Sequence, residues 1–576
     1  SLFVVFQNQG YKIAKEDLRQ IFDAKIEIKN KNAYRQFWKI YKRPPIQEFQ
    51  DYIIERKDLL VPQDIRERKG AFFTPRIWVE LSQKYLTAYL GKDWQEEYYI
   101  WDCAAGTGNL LAGLTNKYNI YASTLDQADV NVMQERIDQG ANLLKNHVFQ
   151  FDFLNDDFSK LPQGLQNIVN DPEKRKKLVI YINPPYAEAT STKTISSNNS
   201  LHKKSVGESK TKVKYQKLLR QASKELYVQF LFRAYDEIEG CQIGSFSKIK
   251  TLQGNHYKEF RDLFLATLEK LFLVPSTTFD NVKGNFPVGF FIWNTEKKSS
   301  FKQINSDVYD EKGMFKQTKK LFEPGKKNIK DWLRSYNIKN GEIGWLVRGS
   351  ADVQNNNVVF VTLNPSESVL KASNANKISK DNLIVNSIFL SVRKVIKKDW
   401  INDRDQYLYP NENWERDIEF QNDCLTYTLF SNNIQSEHGV NHWIPFTEQE
   451  INSKEKFESN FMTDFIKGKI KIKSKSDLFN ETEVENKNLE FSEEATAVFN
   501  AGRELWKYYH RQPEINVNAG FNDIRAYFQG RNDKGKMNLR SQDETYTQLI
   551  TELREKLGIL ADKIKPKVYE YEFLKE

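Results

Sequence analysis

The chain has 576 residues, 39% of them hydrophobic and 13% aromatic, with three cysteines and a formal charge of +9. Such a length is too great for one core and suggests about three or four domains. A mean hydropathy of −0.66, with no long uninterrupted apolar run, argues against a membrane-spanning helix. Cys103, Cys241 and Cys424 lie too far apart for a disulfide framework or a zinc site and suit a reducing cytoplasm, the expected location. The opening Ser1-Leu2-Phe3-Val4-Val5-Phe6 has neither a basic leader nor a small-residue cleavage site, so no signal peptide is expected. The positive charge is compatible with a nucleic-acid partner without requiring one.

Residues 1–69 are dense in charge and aromatics. Phe37, Ile40 and Tyr41, then Phe49, Tyr52 and Ile53, fall at helical spacing around Pro44-Pro45, which predicts a small helical N-terminal segment. Glu27-Ile28-Lys29, Glu55-Arg56-Lys57 and Glu67-Arg68-Lys69 match the Glu-x-Lys of metal-dependent nucleases. A charged sequence produces such triplets freely, and the segment is short for a nuclease core, so no metal site is assigned. Gly70-Ala71-Phe72-Phe73-Thr74-Pro75 then leads into a helical pattern through Trp78, Leu81 and Tyr85, with Thr74 and Pro75 as N-cap and first-turn residues.

A strand over 98–101 runs into Asp102-Cys103-Ala104-Ala105-Gly106-Thr107-Gly108-Asn109, followed by an apolar helix from Leu110, Leu111 and Leu114. Gly106 and Gly108 let the backbone pass close to a ligand, and the helix N-terminus offers N–H donors. The acid precedes the glycines, and Leu111 stands where a dinucleotide fingerprint has its third glycine. A carboxylate there accepts hydrogen bonds from a cationic amino-acid moiety, which favours S-adenosylmethionine over NAD. Asp102, Ala104, Gly106, Gly108 and Asn109 are the contact candidates.

A second strand over 119–125 ends at Asp126, the candidate for ribose hydroxyls; Asp129 could take that part, and either acid could instead cap the helix through Met133 and Ile137. A third, from 147, puts Phe149 and Phe151 on one face and Asp152 and Phe153 at its exit. That pair can bond the exocyclic amine of the cofactor's adenine and stack on its ring, although a phenylalanine at a strand end is otherwise core. The fourth strand, 178–182, stops at Asn183-Pro184-Pro185-Tyr186, because two prolines cannot continue a ladder. In an open parallel sheet that end of a strand is where ligands bind.

Residues 187–224 turn polar and basic, which predicts a flexible loop ordering on phosphate, with Lys203, Lys204 and Lys212 as contacts, or else a solvated insertion. An amphipathic helix through Tyr227, Phe230, Leu231, Ala234 and Ile238 follows, then a strand over 241–246 and a helix over 257–265. A hairpin of strands 271–275 and 288–293 closes the sheet. Composition shifts near 300. From there to about 480, β-type runs (358–361, 383–392, 425–430) alternate with Asn-rich turns. Lys467, Lys469, Lys471, Lys473 and Lys475 fall on one face of a strand, as a protected edge or a phosphate-tracking ribbon. Residues 481–576 are expected to be helical.

The order G-x-F-F-T-P, D-x-x-x-G-T-G, acidic second strand, Asp-Phe and NPPY, followed by a large C-terminal region, resembles the gamma class of DNA N6-adenine methyltransferases. It is also similar to the methylase part of type II and single-chain restriction–modification enzymes. The resemblance covers 70–295 and beyond 300 is architectural only. It implies a Rossmann-like α/β sheet over 70–300 that binds S-adenosylmethionine, a helical lead-in, a mixed α+β recognition region over 301–480 and a helical end. It further implies that Phe73, Thr74 and Pro75 close over the cofactor and that Asn183, Pro184, Pro185 and Tyr186 form the catalytic motif. Double-stranded DNA becomes the partner, its adenine flipped against Tyr186, with Phe279, or failing that Phe286, on the opposite face. A restriction nuclease or specificity subunit is a further expected partner. Methylation of RNA adenine or protein glutamine, or a non-catalytic specificity subunit, are the alternatives.

Overall fold

Four short apolar runs build the centre of one sheet. β1 (Tyr99–Asp102), β2 (Ile120–Thr124), β3 (Val148–Gln150) and β4 (Leu178–Ile182) pair in parallel in the order β3-β2-β1-β4. β2 and β4 are buried at every position, as strands covered on both faces must be. The structure is a computed structural model that describes residues 74–186, 209–279, 284–338, 342–473, 483–485 and 488–575. The expected N-terminal segment, with its Glu-x-Lys triplets, lies outside them, as do Phe73, Lys203, Lys204 and Lys475.

β5 (Gln242–Lys248) joins β4 in parallel, and β7 (Pro287–Lys298) runs antiparallel to both β5 and β6 (Ala266–Pro275). The β6–β7 hairpin does not close the sheet. β8 (Gln303–Tyr309) adds to β6 in parallel, and β9 (Phe315–Phe322) forms the edge of nine strands ordered β3-β2-β1-β4-β5-β7-β6-β8-β9. Both added strands are polar along most of their length, and the edge strand β9 carries Lys316, Lys319 and Lys320, as a protected edge does. The fold is Rossmann-like α/β. Strand order reverses between β1 and β4, where the carboxyl ends open a crevice.

α1 (Arg76–Leu90) buries Trp78, Val79, Ser82 and Leu86, one stripe at helical spacing. The Ser82 hydroxyl meets the Tyr181 hydroxyl of β4 at 2.5 Å, and the Trp78 indole N–H donates to Thr278 Oγ1 at 2.8 Å. α2 (Gln127–Asp138) follows β2. The helix expected after the glycine turn is a single 3-10 turn over Asn109–Leu111, ended by an extended Ala112 and by Gly113 at φ +85°. The end of the basic segment is not loop. α3 (Lys210–Leu219) is capped by Ser209 and buries Thr211, Tyr215 and Leu219, followed by a 3-10 turn over Arg220–Lys224. α4 (Leu226–Glu237) is buried over most of its length.

The chain divides at 321/322 rather than near 300, since β8 and β9 belong to the first sheet. The second unit has one apolar core that spans the expected break at 480. It combines a three-stranded antiparallel sheet, β11-β10-β12, of β10 (Gly344–Val347), β11 (Phe360–Thr362) and β12 (Ala375–Ile378), with four long helices. These are α5 (Leu383–Lys394), α6 (Ile418–Leu429), α7 (Glu493–Tyr509) and α8 (Glu544–Glu570). The runs 383–392 and 425–430 are therefore helix. A continuous apolar run fits a buried helix as well as a strand, and burial on nearly all sides made these look β-like. Within the described part of the lysine run, Lys471–Lys473 form a strand, β13. It pairs antiparallel with β14 (Glu483–Glu485), which sets Lys471 opposite Glu485 and Lys473 opposite Glu483. Lys467 ends the helix Phe461–Ile466. Among the described residues no helix is long and apolar enough to cross a membrane.

Gly502 of α7 abuts Phe430, so a Cβ there would overlap the ring. Helix propensity alone favours alanine by about 0.5–1 kcal/mol. Overpacking costs about 1–3 kcal/mol and outweighs it. Gly502→Ala is expected to lower the urea midpoint of the second unit without changing the slope of the transition.

Candidate active site

The parallel pairing aligns the carboxyl ends of β3, β2, β1 and β4 along one edge. The residues singled out by sequence therefore fall in a row: Asp152 and Phe153, Asp126, the Asp102–Gly108 turn, and Asn183 to Tyr186. At the end of β4 the Asn183 side chain is held at both ends. Its Nδ2 donates to Thr74 Oγ1 at 2.7 Å, and its Oδ1 accepts the Tyr186 hydroxyl at 2.7 Å. Thr74 thus gives its hydroxyl to Asn183 and does not cap α1. Pro75 is the N-cap, its carbonyl accepting from Trp78 and Val79. Burial pushes the Tyr186 phenol well above its ordinary value, so it stays an O–H donor at neutral pH. Pro184 is buried and Pro185 half-buried.

Gly106 and Gly108 have φ of +53° and +82°, the left-handed region, so the turn needs glycine at both positions. The turn is tied to β2 by the Ala105 N–H to the Ser123 carbonyl at 3.0 Å. Arg136 of α2 donates to the Thr107 carbonyl at 2.6 Å and to Asn109 Oδ1 at 3.1 Å. A Cβ on Gly106 would meet nothing within 4 Å, so the space beside it is open to a ligand. Asp102 is 1% exposed and accepts the Ala104 N–H at 3.0 Å. Burial pushes its carboxyl up to about 8, against the pull of that one bond. A desolvated carboxyl beside an open cradle suits a cationic amino-acid group, so the donor set fits the expected cofactor.

Asp126 is half-buried at the N-cap position of α2 without bonding as a cap, and Asp129 lies in the first turn. Asp152 folds back on its own turn, accepting from the Leu154 N–H and Asn155 Nδ2. Phe153 is 2% exposed, stacked on Phe230 with centroids 5.2 Å apart and with the Arg233 guanidinium 5.3 Å from its ring. Its ring belongs to the core. Phe279 is likewise buried, edge-on to Phe246, because the 3-10 turn Ser276–Thr278 folds it inward; Phe286 is half-buried. Lys212 sits in α3, whose start is anchored on the exit of β3 by Thr211 to the Leu154 carbonyl and Lys210 N–H to Asn155. Lys214 and Arg220 form ion pairs with Asp236, Glu237 and Glu259, partners supplied by elements distant in sequence.

Two charged residues that no motif marks also reach this edge. Lys248 at the end of β5 donates to the Tyr186 carbonyl at 3.4 Å and pairs with Glu225 at 3.5 Å. Among the described residues no group of three or more His, Cys, Asp or Glu side chains could hold a metal ion.

No family model matches the chain, and no curated protein does. Among solved structures it is similar to the DrdV–DNA complex, with 15% identity over 46% of this chain and 30% of that one, at a TM-score of 0.32. It is similar to the ATP-dependent type ISP restriction–modification enzyme LlaBIII bound to DNA, with 11% identity over 56% and 26%, at 0.31. It is also similar to the M protein of the type I restriction enzyme EcoKI, with 12% identity over 42% and 49%, at 0.26. The match thus spans less than two thirds of each of these chains. The fold assignment rests on the strand order and pairing.

Because Asp102 titrates near 8 when folded and near 3.8 in an unfolded chain, the folded state holds a proton that the unfolded state has lost between those values. Stability therefore falls as pH rises through that window. Asp102→Asn is expected to flatten this slope of Tm against pH, read by thermal unfolding of both proteins without ligand.

Proposed function

We propose that the chain is an S-adenosylmethionine-dependent DNA N6-adenine methyltransferase, acting on a flipped adenine of double-stranded DNA in a restriction–modification or epigenetic system. The observation that carries this reading is the Asn183 amide at the end of β4, held by Thr74 at its nitrogen and by Tyr186 at its oxygen. Those two bonds hold the amide at both ends at the mouth of the crevice.

An exocyclic adenine amine is a weak nucleophile, because its lone pair is delocalised into the ring. An amide oxygen carries two lone pairs, and the Tyr186 hydroxyl donates to the Asn183 oxygen. With the Pro184 carbonyl that oxygen accepts the two N–H bonds of the amine, which draws the nitrogen towards sp³ geometry and frees its lone pair. S-adenosylmethionine, when bound, supplies the methyl group: its carbon–sulfur bond breaks with the electron pair left on sulfur as carbon–nitrogen forms, and one amine proton goes to solvent. The remaining task of the chain is orientation, which lowers such barriers substantially without covalent chemistry. Asp102 and the Gly106–Gly108 turn would hold the amino-acid part of the cofactor and Asp126 its ribose. Tyr186 would give one face for the base. Phe286, whose ring is only half-buried, suits the opposite face better than the buried Phe279. The second unit would supply the recognition surface, and a nuclease or specificity subunit could act with the chain.

The test is transfer of labelled methyl from S-adenosylmethionine to heterologous duplex DNA, followed by nucleoside analysis. Label is expected in N6-methyladenine, with Asn183→Ala reducing the rate by about 10²-fold or more. Tyr186→Phe, which removes one hydrogen bond, is expected to cost about tenfold. Label in RNA or protein but not DNA, or full activity of Asn183→Ala, would defeat the reading. Gly106→Ala probes the cofactor side: backbone strain of about 1–2 kcal/mol and a methyl group in the open cradle are expected to weaken binding, read by calorimetry.

A further inference from the structure

The tetrapeptide at the end of β4 has a structural weakness. Pro184 and Pro185 have no N–H, so two of its four residues offer no backbone donor. β5 brings a side-chain donor to it. β4 and β5 are paired up to Ile182 and Ser245, and β5 continues through Lys248, which carries that lysine past the end of β4.

The Lys248 ammonium donates to the Tyr186 carbonyl at 3.4 Å and lies 5.9 Å from the centroids of both the Tyr186 and Tyr227 rings. Its side chain is only 17% exposed, so the charge needs a partner there. Glu225, just ahead of α4 and 5% exposed, provides it at 3.5 Å. Glu225 is itself held by Lys250 at 3.6 Å and by the Tyr257 hydroxyl at 3.0 Å. Tyr257 accepts from Tyr227 at 2.9 Å, and the Tyr227 ring meets Tyr186 edge-on at 6.2 Å. The network is a closed circuit that begins on the carbonyl of Tyr186 and returns to its ring.

We infer that Lys248, clamped by Glu225, is a positioning residue: it fixes the peptide and ring of Tyr186, and through the Tyr186 hydroxyl the acceptor end of Asn183. The inference rests on the methyltransferase reading of this site and adds to it two residues that no sequence motif marks. It differs from a merely structural ion pair in what removal does. Deleting one member of a buried pair strands the other and destabilises the fold, whereas deleting both often does not. A stabilising pair would thus be restored in the double variant, and a positioning pair would not.

The full chain is compared with Lys248→Met, Lys248→Arg, Glu225→Gln and the double variant Lys248→Met/Glu225→Gln. Thermal unfolding, the Kd for S-adenosylmethionine, and kcat and KM for DNA are measured for each. Lys248→Met is expected to lower kcat by about 10- to 100-fold with cofactor Kd unchanged, and Lys248→Arg to recover most of the loss. The double variant is expected to regain thermal stability without regaining kcat. Recovery of kcat together with stability, or a parallel loss of cofactor binding in Lys248→Met, would overturn the inference. Should the unaltered protein bind cofactor yet methylate no adenine, the functional reading fails separately. Lys248 is then decided by the Asn183 side-chain amide resonance in 15N-asparagine-labelled protein, assigned by its absence in Asn183→Asp. Displacement in Lys248→Met and return in Lys248→Arg sustain the inference, and an unmoved resonance rejects it.

Discussion

The site depends on the orientation of one amide. A primary amide has a donor end and an acceptor end of nearly the same shape, and a half-turn about its last torsion exchanges them. At the end of β4 that exchange would set N–H groups against an incoming amine and turn attraction into repulsion. Thr74 at the nitrogen and Tyr186 at the oxygen hold the amide at both ends. Much of the first unit serves to bring those two groups there. The entry to α1 must lie over β4, and the Ser82–Tyr181 contact and the Trp78–Thr278 bond hold the helix in that place.

Beside the amide, the end of β1 carries a cost to the fold. A carboxyl at Asp102, 1% exposed with a pKa near 8, contributes less to stability than an apolar residue of its size would. Its position explains it. The carboxyl begins a turn whose two glycines adopt left-handed conformations, with open space beside Gly106. A cationic group entering that space would return the carboxyl to its charged form. A residue that costs stability here is then available as affinity for a cation, a common arrangement where binding and folding make opposite demands.

The sequence made the strand ends legible, because each buried apolar run stops at a residue with chemistry: Asp102, Asp126, Asp152, Asn183. The glycines of the first turn were legible too, since only a left-handed backbone calls for them at that spacing. Contacts between distant segments were not. The bond from Thr74 to Asn183 spans 109 residues, and nothing local distinguishes that threonine from a helix cap. Lys248 and Glu225 fall in no motif and become partners only once β5 lies beside β4. Aromatic residues misled in the other direction: Phe153 stands at a strand end as a stacking partner for the cofactor would and Phe279 as a base platform would, but both rings are buried in the core. In the second unit, burial on nearly every side erased the helical period of 383–392 and 425–430, so β-branched content decided the reading wrongly.

Tyr186 shows why a cation near this site must be paired. Its hydroxyl has to remain a donor to keep Asn183 in the right sense, and a phenolate could not do so. Burial favours the neutral form, and the phenol is raised well above its ordinary value. A lone ammonium close to the ring would work against this, since positive charge stabilises phenolate. Lys248 nevertheless donates to the carbonyl of that tyrosine. The Glu225 carboxylate at 3.5 Å, itself fixed by Tyr257 and Lys250, reconciles the two demands. It cancels much of the field of the ammonium while leaving an N–H directed at the Tyr186 carbonyl. An acid from the segment between β4 and β5 is therefore part of what holds a lysine against the Tyr186 carbonyl.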